Sequence, residues 1–214
     1  MRYVIMCGGN YVRWEKPKHL TQINGEALVE RTIRLLRSCG VSDIAISSNN
    51  PLFELYDVPV LKHQNDYCLD WDSAHGNWLD CFYPSEEPIC YLFGDVVFSP
   101  DAIRTIVNYK TDGIMFFASA EPLPSPNIYC KPWAEPFAYK VVDTKRFFDS
   151  IKKCLEYEKD GCFYRQPVSW ELWQVIQKTP LNIIDYTNYV AINDYTCDID
   201  EPDDIKYFEG VIND

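Results

Sequence analysis

No stretch of the 214-residue sequence approaches the roughly 20 apolar residues that a membrane-spanning helix requires, so no membrane segment is expected. Positive charge is scarce. Lys and Arg number 20 against 32 Asp and Glu, the formal net charge is −12, and the isoelectric point is near 4.7. A field of that sign excludes the broad basic footprint that duplex nucleic acid or an anionic membrane demands. Cysteine is present nine times, but without a C-x-x-C pair or Cys/His ligand spacing, and several thiols sit in apolar runs such as Ile89-Cys90-Tyr91-Leu92. These read as small buried hydrophobes in a reducing compartment rather than as a disulfide or zinc framework. The opening Met1-Arg2-Tyr3-Val4-Ile5-Met6 reaches glycine too soon for a secretory signal, so a cytoplasmic location is expected. Two common phosphate loops, G-x-x-x-x-G-K-[ST] and G-x-G-x-x-G, are absent, as are repeats and low-complexity tracts.

What remains is a globular composition, 47% hydrophobic and 24% charged, long enough for a sizeable core. Through the first half, buried strand-like runs alternate with helical ones, the pattern of βαβ units and a mostly parallel sheet. Tyr3 to Met6 reads as a first strand. Ala27 to Cys39 reads as a helix with Leu28, Val29, Ile33, Leu35 and Leu36 on one face and Gly40 at its end. Strands follow at Ile44 to Ser47, Ile89 to Phe93 and Ile114 to Ala118, with helices over 73–83 and from Ser99-Pro100-Asp101, a capping serine ahead of an N1 proline. Beyond residue 120 the texture changes: five prolines fall within 122–136 and eleven aromatic residues within 127–173. This suggests an added aromatic-rich lobe, whose rings form either a thick core or a wall facing a ligand. The expected organisation is one domain with a core at 1–120, an added lobe at 121–193, and an acidic motif with a C-terminal helix at 194–214.

The first strand runs into Cys7-Gly8-Gly9-Asn10, where glycine lets a ligand approach the backbone and successive N–H groups can hold phosphate oxygens. Residues 1–20 carry a net +3, with Arg13 and Lys18 as candidate clamps for a triphosphate, whereas the remaining residues sum to −15. A tight turn with solvated basic residues is the competing reading. Asp95 in Leu92-Phe93-Gly94-Asp95 falls just past a buried strand, at the edge where open parallel sheets bind ligands. From Asp194 to Asp214 the charge is −7, concentrated in Asp198-Ile199-Asp200-Glu201-Pro202-Asp203-Asp204. Mg²⁺ favours one or two carboxylates together with phosphate oxygens, so Asp95 with Asp198 or Asp200 makes a candidate metal site. The acids after Pro202 suit the start of a helix over Ile205 to Ile212.

In order and spacing, the glycine turn, Arg13, Lys16-Pro17-Lys18, Ile23-Asn24-Gly25-Glu26, Leu92-Phe93-Gly94-Asp95 and the late acidic motif resemble the nucleotidyltransferases with a glycosyltransferase-A-like fold. The resemblance implies an α/β fold, a mostly parallel mixed sheet flanked by helices, and transfer of a nucleotide onto a phosphorylated small molecule with release of pyrophosphate. It implies Lys18 and Arg13 as catalytic residues. Cys7, Gly8, Gly9, Asn10, Ser48, His75, Gly76 and Asp95 would bind the nucleotide, and Asp95, Asp198 and Asp200 would hold Mg²⁺. The Asp-x-Asp ending and compact size look most like the cytidylyltransferase branch, including phosphocholine and phosphoglutamine types that serve bacterial surface glycans, with CTP as the preferred donor. Trp133, Glu135, Trp170, Trp173 and Tyr189 are the candidates for the acceptor pocket. The expected partners are a nucleoside triphosphate and a phosphorylated sugar, alcohol or amino acid, with a homodimer admissible. A metal-dependent glycosyltransferase of the same fold and a non-catalytic nucleotide-binding protein are the alternatives.

Overall fold

A computed structural model describes residues 1–8, 14, 16–62, 78–120 and 134–212. In chain order its elements are β1 (Arg2–Met6), β2 (Gln22–Ile23), β3 (Glu26–Ala27), α1 (Leu28–Ser38), β4 (Ile44–Ser47), β5 (Val60–Leu61), β6 (Ile89–Phe93), β7 (Val96–Val97), α2 (Pro100–Asn108), β8 (Ile114–Ser119), β9 (Pro136–Val141), α3 (Thr144–Lys159), α4 (Ser169–Gln177), β10 (Val190–Ile192), β11 (Cys197–Asp198) and α5 (Asp204–Val211). Seven strands form one sheet in the order β10-β8-β9-β6-β1-β4-β5. Every neighbouring pair is parallel except those made by β9, which runs antiparallel to both β6 and β8. The expected mostly parallel mixed sheet flanked by helices is therefore the observed one.

Local chemistry explains the elements. β1 and β6 are buried almost throughout, which is why they read as continuous apolar runs rather than alternating ones. α1 buries Leu28, Val29, Ile33, Leu35 and Leu36, and Gly40 takes the left-handed conformation at φ +80° just past its end. Asn24 at φ +52° and Gly25 at φ +86° turn β2 back onto β3, as a two-residue hairpin requires. Ser99 caps α2 by accepting the Ala102 N–H at 2.9 Å. Within the segment expected to be helical over 73–83, residues 78–81 form a single 3-10 turn and 73–77 lie outside the described residues.

Both sheet faces are covered. Tyr91, Phe116 and Tyr139, cross-strand neighbours on β6, β8 and β9, meet Phe147 of α3 and Trp170 and Trp173 of α4. On the other face Lys140 reaches the C-terminal end of α2, where its ammonium donates to the Ile106 and Val107 carbonyls at 2.9 and 2.8 Å. Those carbonyls have no partner within the helix, so the buried lysine is satisfied by them. Of the aromatic residues between 127 and 173, Phe137, Tyr139, Phe147, Trp170 and Trp173 belong to the main hydrophobic core, with Trp173 only 1% exposed.

Candidate active site at the strand edge

The C-terminal ends of the parallel strands β1, β4 and β6 share one edge, and the chain brings four further pieces to it. The first is a 3-10 turn, Lys18–Leu20, introduced by Pro17. The second is Gly94-Asp95, directly after β6. Gly94 is required there: a Cβ on it would lie 2.5 Å from the Met6 carbonyl oxygen and 2.9 Å from both the Cys7 sulfur and the His19 ring. The third is β11, which pairs antiparallel with β7 so that Asp198 stands opposite Val96, and the Ile199 N–H donates to the Asp95 carbonyl at 3.0 Å.

The fourth is Glu135. Because β9 runs against its neighbours, its beginning lies at the edge where the parallel strands end. A register shift in the β8–β9 pairing at Phe117/Ala118 bends the chain just there. Ser119 and Glu135 clasp each other, the Ser119 N–H donating to the Glu135 carbonyl at 2.8 Å and the Glu135 N–H to the Ser119 hydroxyl at 2.7 Å. One carboxylate oxygen each from Glu135, Asp198 and Asp200 lie within 4.8 Å of one another. Three hard oxygen donors suit Mg²⁺, Mn²⁺ or Ca²⁺ and disfavour a thiolate-seeking metal. Glu135, expected from the sequence in the acceptor pocket, also stands with these acids. Its proximity depends on the antiparallel insertion of β9, for which an isolated acid after a proline-rich crossing gives no signal.

Lys18 and Asp95 form the charged centre. The Lys18 ammonium is 2.5 Å from Asp95 Oδ2 and donates to the Ile199 carbonyl at 3.2 Å, with the two side chains 17% and 26% exposed. Burial alone would lift the Asp95 carboxyl, but the Lys18 ammonium beside it, helped by the His19 ring, holds it below the usual carboxylate range. Burial would likewise pull Lys18 down, yet Asp95, with Asp198 and Asp200 farther off, keeps its ammonium above the ordinary value. Adjacent His19 is buried, and that burial pushes its imidazole down to about 4, leaving it neutral at pH 7. The three-acid cluster therefore gathers beside Lys18, with Asp95 as that lysine's partner.

Other acids of the late motif are committed to scaffolding. Asp194 accepts the Ser99 hydroxyl at 2.5 Å and the Thr196 N–H at 2.7 Å, fastening the motif to the cap of α2. Buried Arg31 donates to the Phe98 carbonyl and the Tyr195 hydroxyl in the same seam. Asp204 accepts the Asp200 and Glu201 N–H groups at 2.8 and 2.9 Å, which fixes the backbone that presents Asp200.

The remaining expected residues divide clearly. The Cys7 N–H donates to the Ser47 carbonyl at 2.9 Å and its side chain is buried, so it is fixed at the end of β1, with Gly8 following half-buried. Ser48 is buried at the end of β4 and its hydroxyl accepts the Asn50 N–H at 3.1 Å, stabilising the turn. Trp170 is 2% exposed and its indole N–H donates to the Ala134 carbonyl at 2.7 Å. The Tyr189 hydroxyl donates to the Ser119 carbonyl at 3.1 Å, and the Trp173 indole to Thr187 at 3.0 Å. Trp170 and Tyr189 thus brace the strand ends that carry Glu135. Gly9, Asn10, Arg13, His75, Gly76 and Trp133 lie outside the described residues.

Similar architectures occur in solved structures at low sequence identity. A Bacillus anthracis protein assigned as a glucose-1-phosphate thymidylyltransferase superposes with a TM-score of 0.60 at 16% identity, covering 100% of this chain and 96% of that one. The CTP:phosphocholine cytidylyltransferase of Streptococcus pneumoniae gives 0.56 at 15% identity, with 98% of each chain covered. The inositol-1-phosphate CTP transferase of T. maritima gives 0.55 at 19% identity, covering 97% and 93%. Residues 3–166 match the MobA-like NTP transferase domain, and the chain belongs to that nucleotidyltransferase family.

Proposed function

We propose that the protein transfers a nucleoside monophosphate, from CTP by preference, to a phosphorylated small molecule, with release of pyrophosphate. The observation that carries this reading is the single ammonium of Lys18 held between Asp95 and the Ile199 carbonyl at the ligand edge, with Glu135, Asp198 and Asp200 converging alongside. An acceptor phosphate oxygen attacks the α-phosphorus in line, a new P–O bond forms, and the bond to the bridging oxygen of the β-phosphate breaks as pyrophosphate leaves. The acceptor is already an anion at neutral pH, so no general base is needed. Positioning and charge stabilisation supply the catalysis. Lys18 places its charge at the edge where the reacting oxygens gather, and the buried Gly94-Asp95 corner keeps it there. Arg13 is the proposed second clamp, and Gly8, Gly9 and Asn10 the phosphate cradle.

Glu135, Asp198 and Asp200, with Asp95 as a further candidate, are the residues that would hold Mg²⁺. The ion would supply positive charge to the triphosphate oxygens. In a chain of net charge −12 such an ion also lets an acidic protein accept a polyanion. The preference for CTP rests on likeness to the cytidylyltransferase branch. The test is a grid of four nucleoside triphosphates against phosphorylated sugars, alcohols and amino acids, read as pyrophosphate. Release confined to CTP supports the cytidylyl reading, release with another base replaces it, and acceptor-dependent turnover of a nucleotide sugar without pyrophosphate indicates a glycosyltransferase.

A further inference from the structure

A cavity of about 320 Å³ opens between the start of α4 and the segment that carries Glu135. Glu135, Arg165, Ser169 and the rings of Trp78, Trp170 and Tyr186 are among its lining residues. Glu135 links it to the acid cluster, so a molecule seated here has one end beside the proposed transfer site. Two features of the lining have no part in nucleotide transfer as derived above.

The first is Arg165. Its Nε donates to Glu171 Oε1 at 2.6 Å, while Glu171 Oε2 accepts the Val168 N–H at 3.1 Å. The Glu171 side chain is 2% exposed, so one edge of the guanidinium is fixed against a buried partner. Among the described residues the terminal nitrogens of Arg165 make no hydrogen bond, which leaves the rest of a rigid donor fork available at the cavity. The second is Ser169, the first residue of α4. It is fully buried, and its hydroxyl has no hydrogen-bond partner among the described residues. A buried hydroxyl in that state costs free energy unless a ligand satisfies it. The first amide groups of α4 have no acceptor within the helix either, and the partial positive charge of that terminus adds to the preference for an anion.

Planar donors set around an aromatic-walled cavity fit a carboxylate better than a second phosphate. Glu171 already offsets the charge of Arg165, so the cavity offers a planar donor fork rather than a net positive charge, and a carboxylate matches the open side of that fork. We propose that the acceptor carries a carboxylate as well as its phosphate, with Arg165 and Ser169 holding the carboxylate and the aromatic walls enclosing the carbon chain between them. This rests on the nucleotidyl-transfer reading for the placement of the phosphate end.

The probes are two pairs that differ in a carboxylate: O-phosphoserine against phosphoethanolamine, and 3-phosphoglycerate against glycerol 3-phosphate. Binding is measured by titration calorimetry with Mg²⁺ present, and pyrophosphate release is measured separately with each triphosphate. Arg165→Lys keeps a charge beside Glu171 but not the fork, and Ser169→Ala removes the hydroxyl. The carboxylated member of at least one pair is expected to bind at least tenfold more tightly than its counterpart. Arg165→Lys is expected to close that gap, and Ser169→Ala to narrow it. Equal binding within both pairs, no binding of either, or a gap that survives Arg165→Lys overturns the inference. Carboxylate-selective binding without pyrophosphate in any combination upholds the pocket and overturns the transfer reading. Pyrophosphate release with equal efficiency for both members of each pair does the reverse.

Discussion

The Lys18 ammonium stands 2.5 Å from the Asp95 carboxylate and donates at 3.2 Å to the carbonyl of Ile199, a residue 181 positions away in sequence. The +3 segment at the beginning of the chain and the −7 segment near its end therefore meet at one atom. That meeting offsets part of the repulsion that an acidic cluster otherwise builds up, and it leaves a cation where phosphate oxygens are to be handled.

Replacing Lys18 by alanine is expected to lower kcat for pyrophosphate release by two to three orders of magnitude, about 3–4 kcal/mol of barrier, as for other lost charge-stabilising donors. Stability falls as well, because Asp95 loses its ion partner in a largely buried setting. Urea unfolding alongside the kinetics separates the two effects: a folded variant with unchanged kcat contradicts the assigned role.

Neutralising one acid of the cluster, by Asp200→Asn or Glu135→Gln, removes one of three carboxylate oxygens that lie within 4.8 Å of one another and should weaken stabilisation by metal. The increase in Tm on adding saturating Mg²⁺ shrinks, because a ligand that binds only the folded state stabilises in proportion to its affinity. A variant with the same Mg²⁺-dependent increase as the parent would show that the ion binds elsewhere.

Gly94→Ala tests the tight corner ahead of Asp95. An added Cβ would sit 2.5 Å from a backbone carbonyl oxygen, which cannot swing aside as a flexible side chain would. A loss of roughly 1–3 kcal/mol is expected, in the range of other overpacked sites. The Lys18–Asp95 geometry should shift with it, so activity falls by more than stability accounts for. A fully stable, fully active Gly94→Ala protein contradicts the close approach.

His19 carries a pH signature. Burial lowers its folded value to about 4, below the unfolded value near 6.5. Between those limits the unfolded chain binds a proton that the folded one refuses. The contribution is therefore intact above about pH 6.5 and is lost as pH falls toward 4, at up to about 1.4 kcal/mol per pH unit. An imidazole NMR titration should show His19 still neutral at pH 5; a midpoint near 6.5 would contradict its burial.

Strands β1, β4, β6 and β8 and helices α1 and α2 were legible because the strands are short apolar runs set between punctuating glycine, proline and capping residues, whereas the described part of the helix expected over 73–83 is a 3-10 turn at 78–81. Lys18, Asp95, Asp198 and Asp200 could be singled out for local reasons too: Asp95 stands just past a buried strand, Lys18 belongs to a +3 segment, and Asp198 and Asp200 belong to a −7 segment. The position of Glu135 beside Asp198 and Asp200 could not. It arises from where β9 enters the sheet, a long-range pairing with β6 and β8 that periodicity does not encode. Trp170 and Tyr189 read from the sequence as rings of an acceptor wall; their polar atoms are engaged with the Ala134 and Ser119 carbonyls that flank Glu135, and the Trp170 ring also lines the cavity. Composition gives the aromatic richness of this region without saying which atoms face inward.

The most direct test of the central claim is pyrophosphate release by the purified protein with Mg²⁺, each nucleoside triphosphate in turn and a panel of phosphorylated acceptors, run beside Lys18→Ala. The account predicts release that requires triphosphate, acceptor and divalent cation together, strongest with CTP and nearly lost in the variant. Pyrophosphate that forms at the same rate in the variant, or that forms in no combination with the folded parent protein, would contradict it.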